Sequence, residues 1–257
     1  QLDSTTGVIS GTPTESKLQV TLYVKASNSG GSDTESFYFQ VYDKPTITLK
    51  VQNSSEEWVP HTSNTLPDAY TTQRGGYLQF YTGAGGGDTF TTIEGVMPSG
   101  MDFVDSDTWG QFIINNALST GTYSFTLVSR NYVDSEKTQF IGEDRKTVTM
   151  TVYSTPQYNG APAFSIGEMT VGTAITPIDF SKMFSGGKAP LTYTLDGDLP
   201  KGLTLDSSGI LSGTPLIAGT GSVFRIFCTD ANGKAANPVI YYGYRYLPQV
   251  ALGTPSG

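Results

Sequence analysis

The stretch Leu199–Pro215, LPKGLTLDSSGILSGTP, decides how the chain is read. Pro200 presets φ and Gly202 permits a positive φ, so the stretch opens with a turn. Leu203 and Leu205 flank Thr204, the period-two alternation of a strand with one buried face. Asp206 to Gly209 forms a turn cluster, because Asp and Ser side chains bond nearby backbone and Gly takes conformations other residues avoid. Ile210 and Leu211 start a second strand, and Ser212 to Pro215 ends it with a residue that cannot extend a ladder.

Downstream, SVFRIFCT (222–229) sets Phe224, Ile226 and Cys228 against Val223, Arg225 and Phe227, a strand only partly more apolar on one face. DANGK (230–234) follows, and Asn232-Gly233 is a strong two-residue hairpin signal. VIYYGYRYL (239–247) reads as the returning strand. The same succession recurs at the start of the chain in QLDSTTGVISGTPT (1–14) and the strands after it. A diverged copy, GVMPSGMDFVDSDTWGQF (95–112), keeps Pro98, Gly100 and Gly110 but loses the SGTP core. Repetition of this kind outranks local propensity as a guide to architecture. It divides the chain into three expected modules: 1–43, 44–154 and 155–257. Asp43-Lys44-Pro45 and Ser154-Thr155-Pro156 are the joints, short and Pro-containing, which favours semi-rigid connection.

LPKGLTLDSSGILSGTP followed by FCTDANGKA resembles the bacterial "putative Ig" repeat, a relative of cadherin-like, dystroglycan-type domains. The likeness is specific over about 160–248, partial over 1–43 and weak over 44–153. It implies an all-β fold of tandem immunoglobulin-like β-sandwiches. On that basis 1–43 is the C-terminal part of an Ig-like domain, and 44–154 is a divergent Ig-like domain with loop insertions. Residues 155–257 are an Ig-like domain with a short C-terminal tail. Such modules stand in tandem on large secreted and surface proteins, but the architecture hosts many roles.

Composition agrees with the all-β expectation. Only 15% of the 257 residues are charged, and 30 Gly and 14 Pro punctuate runs rich in Thr, Val, Tyr and Phe. Ile178 to Phe184 has room for one short helical turn at most. The net charge of −8 disfavours nucleic-acid partners, which need a basic footprint. No apolar run reaches the length of a membrane span. The single cysteine, Cys228, lies in an expected strand and reads as a buried, inert thiol. Scarce Cys and Lys suit an extracellular bacterial or viral structural protein.

Catalytic residues are expected to be none. His61 is the only histidine and falls in the polar run VPHTSN, so it reads as a solvated loop residue. One His and one Cys cannot make a zinc site of the usual spacing. GAGGGDT (83–89) lacks the Lys of a phosphate-cradling loop and reads as a hairpin tip. No cofactor-binding or metal residues are expected. Calcium stays open because cadherin relatives bind it between domains, and Asp102, Asp105, Asp107, Asp196, Asp198 and Asp230 are weighed against it. Each of these sits where Asp serves a turn. Trp58, Tyr70, Tyr77 and Tyr81 lie in or beside the insertion 54–76 of the middle module, and aromatic faces stack on sugars. Tyr77 to Tyr81, however, reads as a strand whose aromatics alternate into the sandwich. Asn53-Ser54-Ser55 is a lone glycosylation sequon.

The first module raises its own question. An Ig-like sandwich needs about seven strands, and Gly7 to Val41 supplies about four. Val20, Leu22 and Val24 alternate with Thr21, Tyr23 and Lys25, and Phe37 and Phe39 with Tyr38 and Gln40. One apolar face would be wet, so something is expected to complete it: upstream residues, the favoured account, or a strand from a neighbouring subunit. The expected function is a non-enzymatic structural or adhesive segment of a large extracellular surface protein, spacing or presenting binding loops. The alternatives are a subunit of an assembled particle (surface filament, S-layer or phage virion) completed by strand exchange, and an accessory carbohydrate-binding module. Expected partners are neighbouring Ig-like domains or subunits and a cell-surface glycan or protein ligand, with no nucleic acid and no membrane span.

Overall fold

A computed structural model describes all residues except 54, 84–86, 107, 161–166, 219–222, 238, 243–244 and 248–257. The described strands, in chain order, are β1 (Lys17–Asn28), β2 (Gly31–Val41), β3 (Thr46–Gln52), β4 (Trp58–His61), β5 (Ala69–Tyr70), β6 (Gly75–Gly83) and β7 (Asp88–Gly95). Then come β8 (Met101–Asp105), β9 (Trp109–Ile114), β10 (Gly121–Tyr132), β11 (Phe140–Tyr153), β12 (Gln157–Tyr158), β13 (Glu168–Thr170) and β14 (Ile178–Asp179). The last are β15 (Phe184–Ser185), β16 (Thr192–Gly197), β17 (Leu203–Leu205), β18 (Ile210–Gly213), β19 (Val223–Thr229), β20 (Val239–Tyr242) and β21 (Arg245–Leu247). The described residues hold no α-helix, only a 3₁₀ turn at Phe180–Met183 that the Asp179 side chain caps through the Ser181 amide. The chain is all-β, and its sheets form immunoglobulin-like sandwiches.

Chain contacts divide the molecule into two compact units, 1–69 with 73–152 and 70–72 with 153–257. In the first, a five-stranded sheet of order β4-β3-β6-β9-β8 faces a four-stranded sheet of order β5-β11-β10-β7. Alternation explains the core between them. Ile47, Leu49, Leu78, Phe80, Phe112 and Ile114 point inward from one sheet, and Phe125, Leu127, Val148 and Met150 from the other. The rings of Phe112 and Phe125 meet across the sandwich at 5.4 Å, a tilted aromatic pair that locks the layers in register. The polar stretch 54–76, expected as loop insertion, instead contributes β4 and β5. Pro60 is compatible with a ladder there because, among the described residues, β4 is an edge strand paired only with β3.

The second unit repeats the arrangement on a smaller scale. Sheets of order β16-β19-β20 and β14-β18-β17 enclose Phe180, Tyr193, Leu211, Phe224, Ile226 and Cys228. Two glycines reveal the common plan. Gly95 ends β7 opposite Phe125, and Gly197 ends β16 opposite Phe224, both with φ of 98°. A Cβ on either would crowd the facing backbone, 3.0 Å from Ser124 O or 2.7 Å from Val223 O. After each comes the Pro-x-Gly turn, at Pro98 or Pro200, and then the short hairpin β8–β9 or β17–β18. The diverged middle copy thus keeps the geometry where it lost the SGTP letters.

The first 43 residues carry less regular structure than expected. They hold the β1–β2 hairpin and a single bridge between Leu2 and Ile9, rather than four strands.

Candidate interaction surfaces

The opening turn of the chain shares its plan with the turn of the second unit, an aspartate that caps nearby amides and closes back on the strand after the glycine. Asp3 Oδ1 accepts from the amides of Thr5 and Thr6, and Asp206 Oδ1 from those of Ser208 and Ile210. The Asp3 amide donates to Val8 O at 2.9 Å, the Asp206 amide to Ile210 O at 3.0 Å. These amides hold both carboxyls below the usual aspartate value, Thr5 leading at Asp3 and Ile210 at Asp206. What differs is the cover. Leu211 is wholly buried, whereas its counterpart Ile9 is 51% exposed.

β1 and β2 extend this uncovered surface. Leu22 lies opposite Phe37, and Val20 opposite Phe39, so these four side chains share one face of the hairpin. Phe37 and Phe39 remain 55% and 42% exposed. Ile9, Pro13, Val20, Leu22 and Phe39 line an open groove of about 480 Å³. The counterparts of β1 in the two fuller sandwiches, β10 and β19, each have a strand on both sides. Among the described residues β1 has only β2.

A second surface is the outer face of the five-stranded sheet. Because Phe80 and Phe112 point inward, Gln79, Tyr81, Trp109 and Gln111 point out. Register sets Tyr81 beside Trp109 and Gln79 beside Gln111. Lys50, opposite Gln79, holds its ammonium 4.5 Å from the centre of the Tyr81 ring. The Tyr81 hydroxyl donates to Gln79 Oε1 at 3.2 Å. Trp58 projects from β4 and reaches across to Gly76 on β6, where an added Cβ would lie 3.1 Å from its Cζ2 and would collide with Gln111 Nε2. Both tryptophans of the chain therefore stand on this face.

The structure distributes the sequence candidates unevenly. Tyr77, as expected, is buried, with its hydroxyl donating to Pro67 O. Burial pushes that phenol well above the ordinary tyrosine value. Tyr81 differs from expectation: a register shift between Gly76 and Leu78 lets Tyr77 turn inward and leaves Tyr81 on the outer face. Tyr70 is also buried, and within the second unit it donates to Asp230 Oδ2 at 2.5 Å. Trp109 is not among the sequence candidates. The clue was available: Trp109 and Gln111 alternate with Phe112, the strand period.

Asp230 carries four hydrogen bonds. Besides Tyr70 it accepts from the amides of Lys188, Asn232 and Lys234. Burial pushes its carboxyl up, but these hydrogen bonds, Tyr70 first, outweigh burial and hold it below the usual value. Asp102 accepts from Asn115, Asp105 from the Thr91 amide, and Asp196 pairs with Arg225. Asp107 lies outside the described residues, as do Ser54 of the sequon, 84–86 of the expected hairpin tip and 248–257 of the tail. Among the described residues no three His, Cys, Asp or Glu side chains converge as metal ligands. His61 ends β4 rather than sitting in a free loop, its Nε2 3.0 Å from Thr65 O. Cys228 is buried, which raises its thiol above the ordinary value. No described helix is long and apolar enough to cross a membrane.

Residues 163–242 match the family model described as "Putative Ig domain". No curated protein matches the chain. Among solved structures, an I-band fragment of titin aligns with 90% of this chain and 74% of its own, at 12% identity and a TM-score of 0.50. Sidekick-1 immunoglobulin domains align with 88% of this chain and 57% of theirs at 12% identity, TM-score 0.46. Mouse cadherin-23 domains align with 90% and 74% at 15% identity, TM-score 0.37. At these identities the titin likeness speaks for the fold alone, an immunoglobulin-like β-sandwich.

Proposed function

We propose that the chain is a non-enzymatic run of Ig-like modules, 1–43, 44–154 and 155–257, in a large extracellular surface protein, where it spaces or presents binding surfaces. The observation that carries this reading is one turn-and-hairpin plan used repeatedly, with polar groups spent on turns. The buried carboxyl supports it: Asp230 accepts from the Tyr70 hydroxyl and from the amides of Lys188, Asn232 and Lys234, the use of a buried aspartate as a turn anchor. Its partners are other Ig-like modules and a surface ligand. The test is immunolabelling of intact source cells with antibody to the chain. Labelling lost on protease shaving supports the reading; signal that emerges only after lysis overturns it.

A second reading, a subunit of an assembled particle, is favoured by one feature, the exposed Phe37 and Phe39 beside the edge of β1 that no described strand pairs. It expects concentration-dependent association in sedimentation, abolished by Phe37→Glu. A monomer at all concentrations argues for the first reading.

A further inference from the structure

We propose that the outer face of the five-stranded sheet binds a linear, neutral polysaccharide of equatorially substituted pyranose rings. The sheet presents two indoles with a polar band between them. Trp58 and Trp109 are the platforms, and Gln79, Gln111 and Lys50 supply amide and ammonium groups, with Tyr81 fixing Gln79 through its hydroxyl. Pyranose rings have apolar faces and a rim of hydroxyls, so they need flat aromatic area and bidentate amides side by side.

The geometry sets the class of ligand. Trp58 lies opposite Gln52, and Trp109 is in line with Tyr81 and Thr48. The four-residue offset from Thr48 to Gln52 separates the backbone positions of the platforms by about 13 Å along the strands, and β4 stands three strands from β9, about 14 Å across the sheet. That is the reach of a short oligosaccharide rather than of one sugar ring. A polyanion is disfavoured, since Lys50 is the one cation among these six side chains and the chain carries a net charge of −8. Gly76 adds an independent sign of construction. Its missing Cβ leaves the space in which the Trp58 indole lies down against the sheet beside the Gln111 amide. A side chain there would lift the ring and remove the flat platform.

The proposal rests on the extracellular reading only for where such a ligand is met, not for binding itself. The chain has two tryptophans, both on this face, so its intrinsic fluorescence reports the site directly. Cellohexaose and chitohexaose are titrated into the 257-residue protein, and its migration is followed in gels containing soluble neutral β-glucan. A saturable change in emission and retarded migration are expected. Trp109→Ala weakens binding by about tenfold or more, the loss of one stacking platform, and Trp109→Phe restores part of it. Gly76→Ala weakens binding with the melting temperature nearly unchanged. Absence of any emission change and of retardation overturns the proposal, as does a Trp109→Ala variant that binds like the parent. Self-association through this face, lost in Trp109→Ala, also overturns it by making the occupant a second copy.

Discussion

The turn at Asp3–Pro13 and the turn at Asp206–Pro215 are one local structure in two settings. Their backbone bonds, positive-φ glycines and aspartate caps correspond, although the first has one extra residue between Asp3 and Gly7. The second packs beneath Phe180, Tyr193 and Phe224; the first stands in the open. Local chemistry is therefore sufficient to shape this turn, and tertiary burial is not what bends it. Burial decides instead what the turn contributes to stability.

The largest expected contrast follows from that division. Leu211→Ala removes a fully buried side chain and is expected to destabilise the second unit by about 2–5 kcal/mol. Ile9→Ala, at the matching position, is expected to change stability by less than about 0.5 kcal/mol. Urea unfolding of the full chain measures both. A cost at Ile9 approaching that at Leu211 would break the comparison, because it would mean the first face is covered in solution.

The same contrast explains what was legible in the sequence. LPKGLTLDSSGILSGTP is readable because each turn residue is required by a backbone angle: Gly202 and Gly209 take φ of 97° and 92°. The exposed apolar face of the first module was equally legible, since Val20, Leu22, Phe37 and Phe39 follow period two. The strands hidden in 54–76 were not, because β4 is four residues of edge strand containing Pro60, and β5 is only two residues long. β4 pairs with its sequence neighbour β3, Leu49 to Gln52, but β5 depends on a partner far away in sequence, β11. The candidate surface was half visible for a related reason. Trp58 stood out by type, but the inward or outward sense of Tyr77 and Tyr81 depended on a register shift that no local pattern announces.

A smaller effect separates backbone strain from crowding. Gly7→Ala places a side chain at a φ of 75° with nothing within 4 Å, so only the left-handed backbone opposes it, a cost of about 1 kcal/mol. Gly209→Ala meets the same penalty and also sets a Cβ 3.0 Å from the Tyr193 ring and 3.2 Å from the Ser181 amide nitrogen. Overpacking there adds about 1 kcal/mol or more. Equal losses in the two variants would imply that the Tyr193 side chain yields freely, and that burial adds less to this turn than Leu211 suggests.

The finest test uses acid. Asp3 and Asp206 both have carboxyls held below their ordinary value by the amides they cap. A depressed folded-state value means the stabilisation is present above the unfolded aspartate value, near 3.9, and is lost as pH falls through the folded one. Both turns should therefore loosen only in that acid window, with no change on the alkaline side. They should differ in how the loosening spreads. At Asp3 it stays local, so exchange of the Thr5 and Thr6 amides rises while the rest of the chain keeps its protection. At Asp206 the Ile210 amide is part of a strand packed in the core, so its exchange should rise only together with that of Leu211 and Phe224. Amide hydrogen exchange between about pH 5 and pH 3 reads both turns in one experiment, and an Ile210 amide that opens alone would mean the core does not hold its turn.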